Sequence, residues 1–198
     1  MEYSYPLEMV FKVIALAPQV SVTDTNGNLI FYVKQKLFKI KEEVLVFADK
    51  DQTQLLYKIN ADRIIDFSAR YQITDAIGNP LGAVKRQGMK SLWKAHYDIY
   101  QGNEPEPFLT IQEENVWIRV ADGCINQIPI LNLFAGYFFH PAYLVSTLNG
   151  KNVMRLQKMP SIFEGTFRIE KLVDMDEFDE KKILLSLMMM TLLERTRG

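Results

Sequence analysis

Apolar and polar residues alternate with a period of two along most of this chain. In "SLWKAHYDIY", Trp93, Ala95, Tyr97 and Ile99 alternate with Lys94, His96 and Asp98, the pattern of a strand with one buried face. "EEVLVFADKDQTQLLYKI" reads as a hairpin, two apolar runs around the polar "DKDQTQ". "VFKVIALA", "LIFYVKQKLFKI", "RIIDFSARYQIT", "PFLTIQE", "NVWIRVA", "AYLVSTL", "NVMRLQK" and "FEGTFRIEKLV" are further strand candidates, with turn residues between them.

The last eighteen residues break this pattern. Between Ile183 and Leu193 only Ser186 and Thr191 interrupt a run of Leu, Ile and Met. A membrane anchor, a dimer helix and a buried core helix all present such a run. Crossing a bilayer takes about 20 apolar residues, and this run covers about half of that length. Wound as a helix, its apolar side chains face every direction, with neither a polar stripe nor a heptad seam. Such a helix must be enclosed by the rest of its own domain. Asp174, Asp176, Glu177, Asp179 and Glu180 suit its start, and Arg195 and Arg197 its end. The pattern predicts a core helix at about 176–196.

Many short strands with one terminal helix point to a β-sandwich or barrel rather than an alternating α/β fold. An internal repeat narrows the choice. "VTDTNGNLIFYVKQ", from Val22, matches "ITDAIGNPLGAVKR", from Ile73, with Thr23 and Thr74, Asp24 and Asp75, Gly27 and Gly78, Asn28 and Asn79, Val33 and Val84, and Lys34 and Lys85 in equivalent places. "VSTLNGKNVMRLQK", from Val145, is a weaker third copy. Each copy is a strand, a turn and a second strand, and the glycine supplies the positive φ of a tight turn. Repeated hairpins wrapped around one apolar helix make a closed barrel with a filled interior. The loose stretch "QGNEPEP" at 101–107 is long enough only for a loop, so one domain is expected over 1–198.

Charge and composition then remove function classes. At 198 residues with 48% hydrophobic content, the chain can bury a sizeable core. A net charge of −1 gives no global field towards nucleic acid, and no nucleic-acid partner is expected. Cys124 is the only cysteine, which excludes an internal disulfide and a thiolate zinc cluster and suits a reducing, cytoplasmic setting. At the amino terminus, Glu2, Glu8 and Lys12 fit a first strand better than a signal peptide. "INQIPILNLFAGYFFHPAYLV" invites a membrane span, but Asn126, Gln127, Pro129, Asn132, His140 and Pro141 favour buried strand and loop.

The paired hairpins "VTD..GN...YVKQK" and "ITD..GNPLGAVKR", followed by an apolar helix behind an acidic stretch, resemble the LURP-one-related family. That family stands among the tubby carboxyl-terminal domains and phospholipid scramblases. The resemblance covers nearly the whole chain. It implies a β-rich α+β fold: a closed antiparallel barrel of about twelve strands around a central hydrophobic carboxyl-terminal helix. It also implies a binding role for which lipid headgroups are one candidate, since tubby domains bind phosphoinositides. "DMDEF", from Asp174, further resembles the start of the scramblase calcium segment at Asp174, Asp176 and Phe178. It departs from it at Glu177 and Asp179, and helix charging begins too soon for an oxygen-rich calcium loop.

Candidate chemistry is sparse. The chain has no HExxH, GxSxG, P-loop or CxxC, so no catalytic residue, cofactor or metal is expected. His96 shares the outward face with Asp98, a spacing able to orient a general base, although a solvated strand face explains both. His140 lies among aromatics and reads as structural. Basic residues gather at "VKQK", "AVKRQGMK" and "LWK". Alternation puts Lys34, Lys36 and Lys85 on the outer face of repeat-equivalent strands, with Arg86, Lys90 and Lys94 beside a neighbouring loop. Lys85, Arg86, Lys90 and Lys94 form the candidate patch for an anionic headgroup, through charge-assisted donors. The expected function is therefore a non-enzymatic barrel that binds an anionic lipid headgroup or a protein partner, peripheral to a membrane if lipid is the ligand. A scramblase-like calcium-dependent protein is the alternative, and a small-molecule enzyme stands third.

Overall fold

The computed structural model describes residues 3–12, 18–34, 43–62, 69–88, 95–114, 141–160 and 164–195. Twelve strands run in chain order: β1 (Leu7–Lys12), β2 (Gln19–Thr23), β3 (Leu29–Lys34), β4 (Glu43–Phe47), β5 (Leu55–Ala61), β6 (Arg70–Asp75), β7 (Pro80–Arg86), β8 (His96–Gln101), β9 (Pro107–Glu113), β10 (Ala142–Thr147), β11 (Asn152–Lys158) and β12 (Glu164–Lys171). Each pairs antiparallel with its sequence neighbours, and β1 pairs with β12, with Leu7 opposite Ile169 and Lys12 opposite Glu164, so the sheet closes into a barrel. Closure removes every free sheet edge. One helix follows, α1 (Glu177–Arg195).

Alternation along each strand decides what lies inside. On β1, Leu7, Met9 and Phe11 are buried while Glu8 and Lys12 are exposed. The interior is then filled by α1, whose residues Ile183 to Leu193 are all buried. Burying each Leu, Ile or Met contributes roughly 1.5–3 kcal/mol before entropy is counted. The two polar interruptions are satisfied within the helix. Ser186 Oγ donates to the Lys182 carbonyl at 2.8 Å, and Thr191 Oγ1 to that of Leu187 at 2.9 Å. The run is therefore a core helix, and no helix among the described residues is long and apolar enough to cross a membrane.

The two ends of the barrel differ. The turns of β2–β3, β4–β5, β6–β7, β8–β9 and β10–β11 lie at one end, the hairpin end. The "QGNEPEP" stretch is one of these turns, entering β9 at Pro107. α1 enters here as well, because Leu172 follows β12 and donates its amide to Val153 beside the β10–β11 turn. Asp176 is the N-cap, its Oδ1 accepting the Asp179 amide at 2.9 Å. The last turn of α1 lies at the opposite end, where Glu194 meets Arg86 at the close of β7.

The repeat survives as geometry. Gly27, Gly78 and Gly150 have φ of 80°, 98° and 83°, the left-handed region in which a side chain is strained. Asp24 Oδ1 accepts the amides of Asn26 and Asn28, and Asp75 Oδ1 accepts those of Ile77 and Asn79. In the third copy Thr147 replaces the aspartate, and its Oγ1 accepts the Lys151 amide at 3.1 Å. All three copies carry a bulge before the turn, between Val22 and Thr23, Ile73 and Thr74, and Val145 and Ser146.

Candidate functional site

Closed barrels often hold ligands in their interior. Here α1 occupies that space. The helix leans on β7, where Gly82 makes room for it. A Cβ at Gly82 would lie 2.5 Å from the Tyr100 carbonyl oxygen and 2.9 Å from Lys182 Cδ. Lys182 itself is fully buried. Its Nζ is 2.7 Å from Asp179 Oδ1 and 4.9 Å from the rings of both Phe108 and Phe178, so the ammonium is paired and lies over π-faces.

Polar clusters close both ends of the helix channel. At the hairpin end, Glu180 is 3% exposed and its Oε1 is 3.2 Å from Lys171 Nζ. Tyr5 meets the same carboxylate, and burial with that contact pushes its hydroxyl well above the ordinary tyrosine range. Tyr3 is pushed up to about 12, chiefly by burial. At the opposite end, Tyr97 donates to Glu194 Oε1 at 2.5 Å, and Arg86 Nε is 3.1 Å from the same oxygen. Burial, then the Glu194 contact, raises the Tyr97 hydroxyl strongly.

This interior cluster separates two members of the predicted basic patch. On β7, Val84 and Arg86 point inward, and Leu81, Ala83 and Lys85 point outward. Arg86 is therefore committed to Glu194 and Tyr97 inside, while Lys85 stands on the outer face. Lys90 and Lys94 lie outside the described residues, as do Lys36, His140, Cys124 and most of the apolar 125–145 segment. Lys34 ends β3 fully outward, but four strands round the barrel from Lys85.

The outer face around Lys85 is not the solvated face that alternation suggests. Asp98 lies opposite Lys85 in register and is only 4% exposed. Its carboxylate accepts from Gln87 Nε2 and from the Tyr100 hydroxyl, and its Oδ1 is 3.4 Å from His96 Nε2. The expected His96–Asp98 pair thus forms, but on a carboxylate already held by two other donors, one of which ties Gln87, just past β7, to β8. Beside it the Arg70 guanidinium stacks 4.1 Å from the Tyr100 ring centre and donates to the carbonyls of Gly102 and Glu104. This roof lies over the row in which Ala83 stands opposite Tyr100, and Ala83 is completely buried although it points outward.

Most of the acidic run at the start of α1 is committed to the helix. Asp176 caps it, Asp179 pairs with Lys182, and Glu177 pairs with Lys181 at 2.5 Å. The Asp179 amide first of all, with other donors, holds the Asp176 carboxyl below the usual range. Among the described residues no group of three or more potential ligands is placed to hold a metal ion.

Sequence reasoning missed three features. Gly82 carried a signal, since a glycine inside a strand marks a close approach of backbone. Lys182 and Glu180 carried none, because charges at a helix start read as solvated. The Arg86–Glu194 pair joins residues more than a hundred positions apart, and only the barrel brings them together.

Comparisons with known proteins agree with this architecture. A family model described as LURP-one-related matches residues 29–128. Protein LURP-one-related 10 from Arabidopsis thaliana is 33% identical over 107 residues, which cover 52% of this chain and 55% of that protein. The chain thus spans about half the length of that curated relative. An X-ray structure of another Arabidopsis thaliana protein superposes over 99% of this chain and 94% of its own, with a TM-score of 0.50 and 16% identity, a likeness of fold. With the family model spanning half the chain and the barrel closed around its helix, this chain belongs to the LURP-one-related family.

Proposed function

We propose that this chain is a non-enzymatic binding barrel that takes an anionic, phosphorylated lipid headgroup on its outer face, where β7 runs towards β8. The observation that carries this reading is the filled interior. With α1 inside, a ligand has to be met on the outside, at strand faces and connections. The stretch from Lys85 to Ala95 offers cations without intervening acids. Lys85 is outward, and Lys90 and Lys94 follow it in sequence. Arg86 serves the interior, so the contact set is Lys85, Lys90 and Lys94. Lysine ammoniums meet phosphate as point charges with rotatable donors. Asp176 and Asp179, two of the acids of the calcium-like run, serve capping and pairing, and this reading uses no calcium.

The test is co-sedimentation with phosphatidylcholine vesicles, with and without a phosphoinositide, at low and physiological salt. Wild-type protein should associate with the phosphoinositide vesicles and lose association as the screening length shortens to about 8 Å. Lys85→Gln with Lys90→Gln should abolish binding and, because it sets no second acid opposite Asp98, change the melting temperature little. No headgroup-dependent binding by the wild type at low salt would refute the reading.

A further inference from the structure

We infer that the hairpin end of the barrel is a docking surface for a basic, amphipathic segment of a partner protein. The inference is independent of the headgroup reading, which concerns the connection from β7 to β8 at the other end. Single exposed apolar side chains are ordinary on any surface. Here their distribution is not ordinary. The exposed large hydrophobic residues among those described are Ile77 at 85%, Leu148 at 60%, Phe178 at 45% and Leu172 at 44%. Ile77 is in the β6–β7 turn, Leu148 is in the β10–β11 turn, Leu172 follows β12, and Phe178 is in the first turn of α1. All four stand at the end where the helix enters, and none is on the outer faces of the strands.

The repeat shows that these positions do not require an apolar residue. The counterpart of Ile77 in the first copy is Asn26, whose amide donates to Ser4 Oγ at 2.9 Å. The counterpart of Leu148 is Thr25, whose hydroxyl donates to the Ser4 carbonyl. Polar residues form the same turn, so the isoleucine and the leucine contribute nothing to it that asparagine and threonine do not.

Charge identifies the occupant. Exposed acids stand at the same end of the barrel: Asp51, Glu104, Glu106, Asp174, Asp176 and Glu177, against the exposed cations Lys50 and Lys151. An anionic bilayer is repelled by such a face, and a second copy would bring two acidic faces together. A segment carrying Leu or Ile on one side and Lys or Arg on the other fits both features. Apolar contacts form the dry centre and charge pairs form the rim and speed encounter.

A fluorescent Leu/Lys helical peptide of about 14 residues, roughly four turns, serves as the probe. Its control carries Glu at every Lys. Anisotropy titrations are run at about 50 mM and about 300 mM salt, a range over which the screening length falls from about 14 Å to about 6 Å. The Leu/Lys peptide should bind at low salt and the Leu/Glu peptide should not. Ile77→Ser with Leu148→Ser should weaken binding by about tenfold at both salts. Glu104→Gln with Glu106→Gln should weaken it at low salt only. Lys85→Gln with Lys90→Gln should leave it unchanged at the higher salt, which separates this surface from the headgroup site. Equal binding of both peptides, no binding at low salt, or an unchanged affinity in Ile77→Ser/Leu148→Ser would overturn the inference. So would a concentration-dependent dimer that the same double variant abolishes, because a second copy would then be the occupant.

Discussion

Hairpins β2–β3 and β6–β7 turn on the same atoms and diverge four residues later. In both, an aspartate carboxylate collects two turn amides, its second oxygen accepts an asparagine side chain at 2.9 Å or 2.7 Å, and a glycine follows with positive φ. Four residues beyond that glycine the first copy has Phe31, and the second has Gly82. Phe31 is 1% exposed and packs edge-on against Tyr57 with ring centres 5.8 Å apart. Gly82 leaves a gap, and the stem of Lys182 fills it. The turns make the barrel regular; this one difference makes its interior lopsided and decides on which wall the helix leans. A repeat can be read as a repeat of hairpins, but the position of what they enclose depends on where the copies differ.

The comparison breaks most completely if the helix is removed. Leu187 is fully buried on α1. Leu187→Asp places a charge with no partner in the channel, at a cost of several kcal/mol against a typical total stability of about 5–15. The variant should be insoluble or unfolded by circular dichroism. A soluble variant with an unchanged melting temperature would mean that the barrel stands without its helix.

The two walls should then respond differently to alanine. Phe31→Ala deletes a large buried ring and should cost about 3–5 kcal/mol, through lost transfer energy and the cavity left behind. Gly82→Ala adds one carbon and should still cost about 1–3 kcal/mol, because the Tyr100 carbonyl has to move. On β-propensity alone, glycine to alanine in a strand is expected to stabilise. Urea denaturation midpoints decide the matter: a midpoint for Gly82→Ala at or above the wild type would remove the close approach as the reason for this glycine.

The turns themselves should be equivalent. A Cβ at Gly27 or Gly78 meets nothing within 4 Å, so any penalty there is conformational. Gly27→Val and Gly78→Val should each destabilise by about 1 kcal/mol, and by similar amounts. A large difference between them would show that the copies are not equivalent even at the turn.

What the sequence allowed follows the same division. Local features were legible: β9 and β11 span the segments "PFLTIQE" and "NVMRLQK", the turn glycines have the expected φ, and the apolar run is a helix over 177–195, close to the expected 176–196. Each of these rests on residues a few positions apart. The burial of Asp98, the inward turn of Arg86 and the enclosure of Lys182 were not legible. Their causes lie with partners away along the chain: Gln87 across the β7–β8 connection for Asp98, Glu194 at the end of α1 for Arg86, and the gap at Gly82 for Lys182. A charged residue reads as exposed until its partner is known. The same limit applied to the basic patch, where adjacency in sequence joined Lys85 to Arg86 although strand alternation sends them to opposite faces.

The smallest expected effect is also the one that separates the third hairpin from the other two. Bonds from the Asn28 side chain and then from turn amides lower the Asp24 carboxyl. For Asp75 partial desolvation is the largest influence and acts upwards, but the Asn79 bonds and turn amides together outweigh it, so its carboxyl is also lowered. A group whose folded-state pKa is depressed contributes stability above its unfolded pKa of about 3.9 and loses it as pH falls through the folded value. Asp24→Ala and Asp75→Ala should therefore lower the denaturation midpoint at pH 7, and their deficit relative to wild type should shrink by about pH 3. Thr147 does the corresponding work with an uncharged hydroxyl, so Thr147→Ala should show the same deficit at both pH values. Midpoints of the three variants at the two pH values give the answer. If the aspartate deficits were unchanged at low pH, the carboxylates would be acting as neutral acceptors, and charge would add nothing to the turn that the third copy lacks.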